Sequence, residues 1–243
     1  MKTRTTTAAL TLVLFALFAS STYAAIVGGD VLKLDLSNSG DGDGGSLADW
    51  NQLSTNGTIA DGSVIRHGDS AVVSGVTITL AGRNGNNNDS RAGNWPGIAG
   101  DPYYIPAADD LVYSWPAPYL LSVTFGGLDD ALSYNTRVYS LINETLPPID
   151  VGVTDGGGTI SRTGLVRTTL YNTAPLSPDL IFNGVATDGS GNIVVTVGST
   201  GGVSMEAVVL EAVAEAVIPE PSTLAIWSLG LLGLALVAWR KRK

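Results

Sequence analysis

No cysteine occurs in the chain. Disulfide staples, thiolate metal sites and cysteine nucleophiles are therefore excluded. Histidine occurs once, at His67, which rules out a multi-histidine zinc or iron centre within one chain. Charge is scarce, at 14% of residues, and it leans acidic. Of the 22 acidic and 13 basic residues, 21 and 7 fall between residues 25 and 218, a net charge near −14 with His67 neutral. Such a body repels phosphate backbones, so nucleic acid is not an expected partner. Before Ile218 no segment shows a sustained helical period, although 47–53 has room for one short helical turn.

What the chain has in quantity is Gly, Ser, Thr, Asn and Asp, set around short alternating apolar runs. VLKLDL (31–36) puts Leu32, Leu34 and Leu36 on one face and Lys33 and Asp35 on the other. VTITL (76–80), LSVTF (121–125) and IVVTV (193–197) alternate in the same way. A period of two predicts half-buried strands. Weaker strand signals lie at 134–142, 165–171, 180–182 and 203–213. GDGDGG (40–45), NGNNND (84–89), TDGGG (154–158) and TDGSGN (187–192) read as turns. The last, between two apolar runs, reads as a hairpin connection. Residues 81–118 are the least strand-like and read as a long aromatic-rich loop. Together these features predict an all-β fold: one β-sandwich domain over 25–216, with no linker-like break.

The two ends differ from this body. Residues 1–24 begin with Lys2 and Arg4, continue with an apolar run at 8–19 and finish in small residues around Thr22-Tyr23-Ala24. That order predicts a secretory signal peptide, with an uncleaved membrane helix as the alternative. At the other end, Pro219-Glu220-Pro221 precede an apolar run at 224–239 and the basic cluster Arg240-Lys241-Arg242-Lys243. Each proline biases the residue before it away from helix, so the Pro-Glu-Pro stretch is extended. Ser222 or Thr223 can cap a helix over 222–239. Its 16-residue apolar part, about 24 Å long, is nearly enough for the hydrocarbon core, with Trp227, Trp239 and the basic side chains extending the match. The basic end stays cytoplasmic by the positive-inside rule, which places the acidic body outside the membrane.

In these three parts, residues 217–243 resemble the PEP-CTERM sorting signal, a tail also described as the C-terminal motif of ice-binding-type proteins. The resemblance implies recognition and cutting near Pro-Glu-Pro by an exosortase-type membrane enzyme, in Gram-negative bacteria that make exopolysaccharide. It implies inner-membrane anchoring before processing, then the cell surface or the extracellular matrix. A plain, uncut C-terminal anchor is the other reading. The body resembles the jelly-roll, galactose-binding-like domains that precede such tails. The features that carry this are LKLDL, Trp50-Asn51, VTFGGLDDALSYNTRVYS (123–140) and the closing TDGSGNIVVTVGSTGGVSMEAVVLEAV. This resemblance implies a structural or carbohydrate-associated role with exopolysaccharide as partner, and no catalysis.

The chemistry-bearing residues leave several readings open. Asp41 and Asp43, in a Gly-rich turn, suit calcium as a structural cation or form a solvated acidic turn. No EF-hand register fits, because Trp50 falls at the twelfth position. His67, Asp69 and Ser70 lie too close in sequence to converge as a triad. Asp109-Asp110, Asp129-Asp130 and Glu206/Glu211 are the carboxylates that a polysaccharide hydrolase would need across a cleft. Trp95 and Trp115, in the aromatic loop, are the candidates for stacking on sugar rings, with core or loop anchoring as the alternative. Ice or surface adhesion would need a regular threonine face, of which VTITL and TTL show fragments.

Overall fold

A computed structural model describes residues 25–36, 49–87, 111–140, 146–167 and 176–213. The expected signal peptide, the turn carrying Asp41 and Asp43, Trp95, and the whole tail from Pro219 to Lys243 lie outside them. Among the described residues no helix is long and apolar enough to cross a membrane.

The described residues form fourteen strands. They are β1 (Val31–Asp35), β2 (Asn51–Gln52), β3 (Gly57–Ile59), β4 (Thr77–Ala81), β5 (Gly85–Asn87), β6 (Leu111–Ser114) and β7 (Leu120–Gly126). The chain continues with β8 (Ser133–Tyr139), β9 (Ile149–Asp155), β10 (Gly158–Leu165), β11 (Ile181–Val185), β12 (Ile193–Ser199), β13 (Val203–Met205) and β14 (Ala207–Val213). One sheet has the order β11-β8-β14-β1-β2, a second β10-β9-β12-β7-β4-β3, and a small third β13-β6-β5. The two large sheets form a β-sandwich around a single hydrophobic cluster.

The alternating runs explain the sandwich. Ile78, Leu80, Leu121, Val123, Phe125, Ile193, Val195 and Val197 are fully or almost fully buried on the inner face of the six-stranded sheet. Leu32 and Leu34 of β1 face Leu210 and Val208 of β14 in register, and these pair onward with Thr136 and Val138 of β8. Pairing β1 with β14 brings the start and end of the domain into one sheet. From β7 onward the chain passes back and forth between the large sheets, apart from the β9–β10 hairpin and β13. This alternation is the jelly-roll-type connection.

Four local expectations are corrected. Lys33 and Asp35 are buried along with Leu32 and Leu34, because β1 is an interior strand covered on both faces. The Lys33 ammonium lies 4.9 Å from the Trp50 ring centroid, in range of a cation–π contact. Residues 187–192 do not close a hairpin, since β11 pairs with β8 while β12 pairs with β7 and β9. The true hairpin is TDGGG, joining β9 to β10 with Asp155 opposite Gly158. The 81–118 stretch contains β5 and β6, which pair with each other, and β6 pairs on its other edge with β13. Within the stretch read as a helical turn, Asn51–Gln52 form β2, parallel to β1.

Candidate functional site

The β6–β7 connection, Trp115-Pro116-Ala117-Pro118-Tyr119, forms the most prominent aromatic surface among the described residues. Trp115 is 55% exposed and Leu120 45%, whereas Trp50 is only 8% exposed. The structure therefore separates these two tryptophans: Trp50 is a core anchor, and the stacking candidate Trp115 is presented to solvent.

Trp115 is held from several sides. Its backbone N–H donates to Asn84 Oδ1 at 2.6 Å, and Asn84 Nδ2 donates to the Pro116 carbonyl at 2.9 Å. One side amide thus fixes both ends of the Trp-Pro peptide, while the Asn84 N–H donates to the Tyr113 carbonyl at 3.2 Å. The indole rests on Gly202, where a Cβ would come within 2.7 Å of Trp115 Cε3. Gly202 also has φ +57°, so two constraints favour glycine there. Tyr119 flanks the indole, with ring centroids 5.4 Å apart and planes tilted by 51°.

The loop under the indole is tied down in turn. Arg167, 2% exposed, donates through Nη2 to the Gly202 carbonyl and through Nε to the Pro147 carbonyl at 3.1 Å. Ser199 Oγ donates to the Pro148 carbonyl at 3.0 Å, and the Ser199 N–H to the Tyr119 carbonyl at 3.1 Å. The result is a fixed, half-open aromatic plate. It can bury the apolar C–H face of a ring-shaped ligand without first paying to order a loop. Sequence reasoning picked out Trp115, but Asn84, Arg167 and Gly202 are brought to it only by tertiary contacts.

The remaining candidates have other roles. His67 Nδ1 lies 3.9 Å from Asp49 Oδ2, and Ser70 Oγ donates to the other oxygen of Asp49. Asp49 thus stands between Ser70 and His67, and no Ser-His relay forms. Burial, followed by the positive charge of Lys33, pushes the His67 pKa down and favours the neutral ring. Asp69 bonds Arg66 at 2.6 Å, and that contact with the Ala71 N–H holds its carboxyl at about 2. Arg66 also reaches Asp30 at 2.9 Å.

Of the carboxylates considered for hydrolysis, Asp109 and Asp110 lie outside the described residues, and the others are engaged in local structure. Asp130 accepts from Thr187 Oγ1 and from the Gly191 N–H at 3.0 Å. Asp129 accepts from the Ala131 N–H at 2.9 Å. Glu206 is buried, and Glu211 accepts from Asn135 at 3.4 Å. Among the described residues no group of three or more His, Cys, Asp or Glu could hold a metal ion.

Comparison with known families decides the other end of the chain. Residues 217–243 match the family described as the PEP-CTERM protein-sorting motif. The chain carries a PEP-CTERM sorting tail. Such a tail marks an exported protein, anchored by its C-terminus until exosortase, a membrane enzyme, processes it. Pro219, Glu220 and Pro221 fall within the matched segment, as do Arg240, Lys241, Arg242 and Lys243. No curated protein matches the chain. Among solved structures, TmCBM61 in complex with β-1,4-galactotriose is similar at 14% identity and a TM-score of 0.23, over 55% of this chain and 81% of that one.

Proposed function

We propose that this PEP-CTERM protein is a non-enzymatic component of the cell surface or extracellular matrix, and that its sandwich associates with exopolysaccharide through the Trp115 plate. In this reading a signal peptide at 1–24 starts export, and the Pro219-Glu220-Pro221 segment is what exosortase engages. The helix over 222–239 spans the inner membrane, with Arg240–Lys243 as its cytoplasmic stop, until the tail is cut. Calcium at Asp41 and Asp43 would be structural rather than catalytic, and Trp95 would extend the stacking surface.

The observation that carries the carbohydrate reading is Trp115: an indole more than half exposed, yet seated on Gly202, flanked by Tyr119, and carried on a backbone that Asn84 clamps. An exposed tryptophan with no task would not need three independent restraints. The alternative, a secreted polysaccharide hydrolase, is less well supported, because Asp129, Asp130 and Glu211 are engaged in local hydrogen bonds. The test is a glycan array, including exopolysaccharide from a producing bacterium, probed with wild type and Trp115→Ala. Binding by wild type that the variant loses supports the reading. Blank or identical profiles for the two proteins remove it.

A further inference from the structure

The chain contains three Asn-Gly pairs, Asn56-Gly57, Asn84-Gly85 and Asn183-Gly184. This dipeptide is prone to a reaction of the backbone on its own side chain. The amide nitrogen of the glycine attacks the asparagine Cγ, and with no Cβ on the glycine nothing shields the approach. The structure treats the three pairs differently. Asn56 Oδ1 accepts from the Arg83 N–H at 2.9 Å, and its Nδ2 donates to the Arg83 carbonyl at 2.6 Å. Asn84 is held as firmly, between the Trp115 N–H at 2.6 Å and the Pro116 carbonyl at 2.9 Å. In both, a segment distant in sequence fixes the side amide at two atoms and keeps Cγ from turning back to its own backbone. The Asp-Gly pairs among the described residues are tied as well. Asp61 accepts from the Gly75 N–H at 2.6 Å, Asp155 from the Gly157 N–H at 2.8 Å, and Asp188 from the Asn192 N–H at 3.0 Å.

Asn183 differs in each respect. It is exposed, and among the described residues its side amide has no hydrogen-bond partner. The ladder between β11 and β8 is broken here: Phe182 pairs with Thr136 and Val185 with Tyr134, which leaves Asn183 and Gly184 together in a bulge. β11 is also an edge strand of its sheet. Gly184 is exposed, has φ +68°, and has no atom within 4 Å of where its Cβ would stand. Its N–H donates to Asn135 Oδ1 at 3.2 Å, the long end of the range for such bonds. The side amide that would leave therefore stands in solvent, and the nitrogen that would attack has open space around it.

We propose that Asn183-Gly184 is a spontaneous modification site, at which the folded protein deamidates while its other described Asn-Gly and Asp-Gly pairs are spared. The Gly184 nitrogen gives its proton to solvent base and bonds to Asn183 Cγ. The bond from Cγ to Nδ2 breaks, and the side amide takes up a proton and leaves as ammonia. Water then opens the five-membered imide at either carbonyl. Attack at Cγ breaks its bond to the Gly184 nitrogen and leaves aspartate. Attack at the backbone carbonyl of residue 183 leaves isoaspartate, in which the main chain runs through Cγ. The net change consumes one water and releases one ammonia, with no oxidant, reductant or enzyme. Either product adds a negative charge to a body that is already strongly acidic. Isoaspartate also lengthens β11 by a methylene, and a bulge on an edge strand has room for that extra length. The amide is not regained, so the converted fraction rises with time since folding. None of this depends on what Trp115 binds.

The test is incubation of the full chain in detergent at mildly alkaline pH, with peptide mapping by mass spectrometry over time. Deamidation replaces NH by O and adds about one dalton, and isoaspartate separates from aspartate by chromatography. A parallel incubation in guanidinium chloride gives the rates of the unfolded chain. The Asn183 peptide should convert in the native protein at close to its unfolded rate. The Asn56 and Asn84 peptides should slow by roughly tenfold or more on folding, because their clamps must open first. Asn183→Gln, an exposed substitution, should slow the appearance of acidic species on anion exchange, and thermal melts before incubation show that it is as well folded as wild type. Equal protection of all three asparagines by folding would overturn the proposal, as would faster native conversion at Asn56 or Asn84 than at Asn183. So would an unchanged rate of acidification in Asn183→Gln.

Discussion

Replacing Gly202 with alanine tests the seat of Trp115 without touching the indole. Two penalties follow from the geometry. Alanine at φ +57° occupies the left-handed region, at a cost of about 1–2 kcal/mol for an L-residue. Its methyl would also stand 2.7 Å from Trp115 Cε3, well inside contact distance. The indole is 55% exposed, so it can swing outward and relieve the clash. The steric term should then appear as a displaced ring rather than as lost stability. Gly202→Ala is therefore expected to unfold at slightly lower denaturant, by about 1–2 kcal/mol, and to lose glycan binding almost as fully as Trp115→Ala. Removing a central aromatic anchor of this kind costs about 2 kcal/mol, roughly thirtyfold in Kd. Trp115→Ala itself should keep wild-type stability to within about 0.5 kcal/mol, because exposed positions contribute little. The assays are urea unfolding and titration with the best glycan from the array. Tryptophan emission, with Trp115→Phe subtracted to isolate the one indole, reports the ring. A Gly202→Ala protein with unchanged Trp115 emission and unchanged Kd would refute the seat.

Other expectations follow from the same coordinates. Asn51 bonds the Lys33 carbonyl and both the N–H and the carbonyl of Ile65, so Asn51→Ala should cost about 2–4 kcal/mol in urea unfolding, while Asn51→Asp loses only the donor contacts. Phe125→Ala, in the centre of the inner face, should cost about 3–5 kcal/mol by the same measurement. Asp69 is held at about 2, below its unfolded value, so its contribution is complete above the ordinary carboxylate range and lost as pH falls towards 2. Thermal melts between pH 5 and pH 2 should show that loss in wild type and not in Asp69→Asn. His67 has a lowered pKa, so its contribution is present above the ordinary histidine value and fades as pH drops below it, which His67→Gln melts should reveal as a flatter profile.

The parts of this molecule that were legible in its sequence are those governed by short-range rules. The alternation in VTITL, LSVTF and IVVTV fixed which side chains enter the core, and β4, β7 and β12 form where that period lies. The tail was legible because its three parts follow one another in order along the chain, and the family match covers the same residues. Long-range pairing was not legible. Lys33 reads as a solvent position from alternation alone, and becomes buried because the second face of β1 is covered too, with the Trp50 ring beside the Lys33 ammonium. The turn at 187–192 has hairpin composition, but composition does not say whether the next strand joins the same sheet. The β9 and β10 strands were obscured by Gly152, Gly158 and Gly164, which dilute the apolar period. The outer face of the six-stranded sheet is the clearest case. Thr58, Thr79, Thr124, Thr154 and Thr196 are scattered over five strands, and only their register makes them neighbours. The seat of Trp115 similarly depends on Asn84, Arg167 and Gly202, none of which its sequence neighbourhood announces.

The central claim, a β-sandwich delivered across the membrane and released by its tail, is tested most directly by intact mass and cell fractionation in a host that has exosortase. The account predicts that wild type is recovered outside the inner membrane, lacking residues 1–24 and cut near Pro219, whereas a Pro219→Ala/Pro221→Ala variant stays membrane-bound at full tail length. Recovery of an uncut wild-type chain in the cytosol would contradict it.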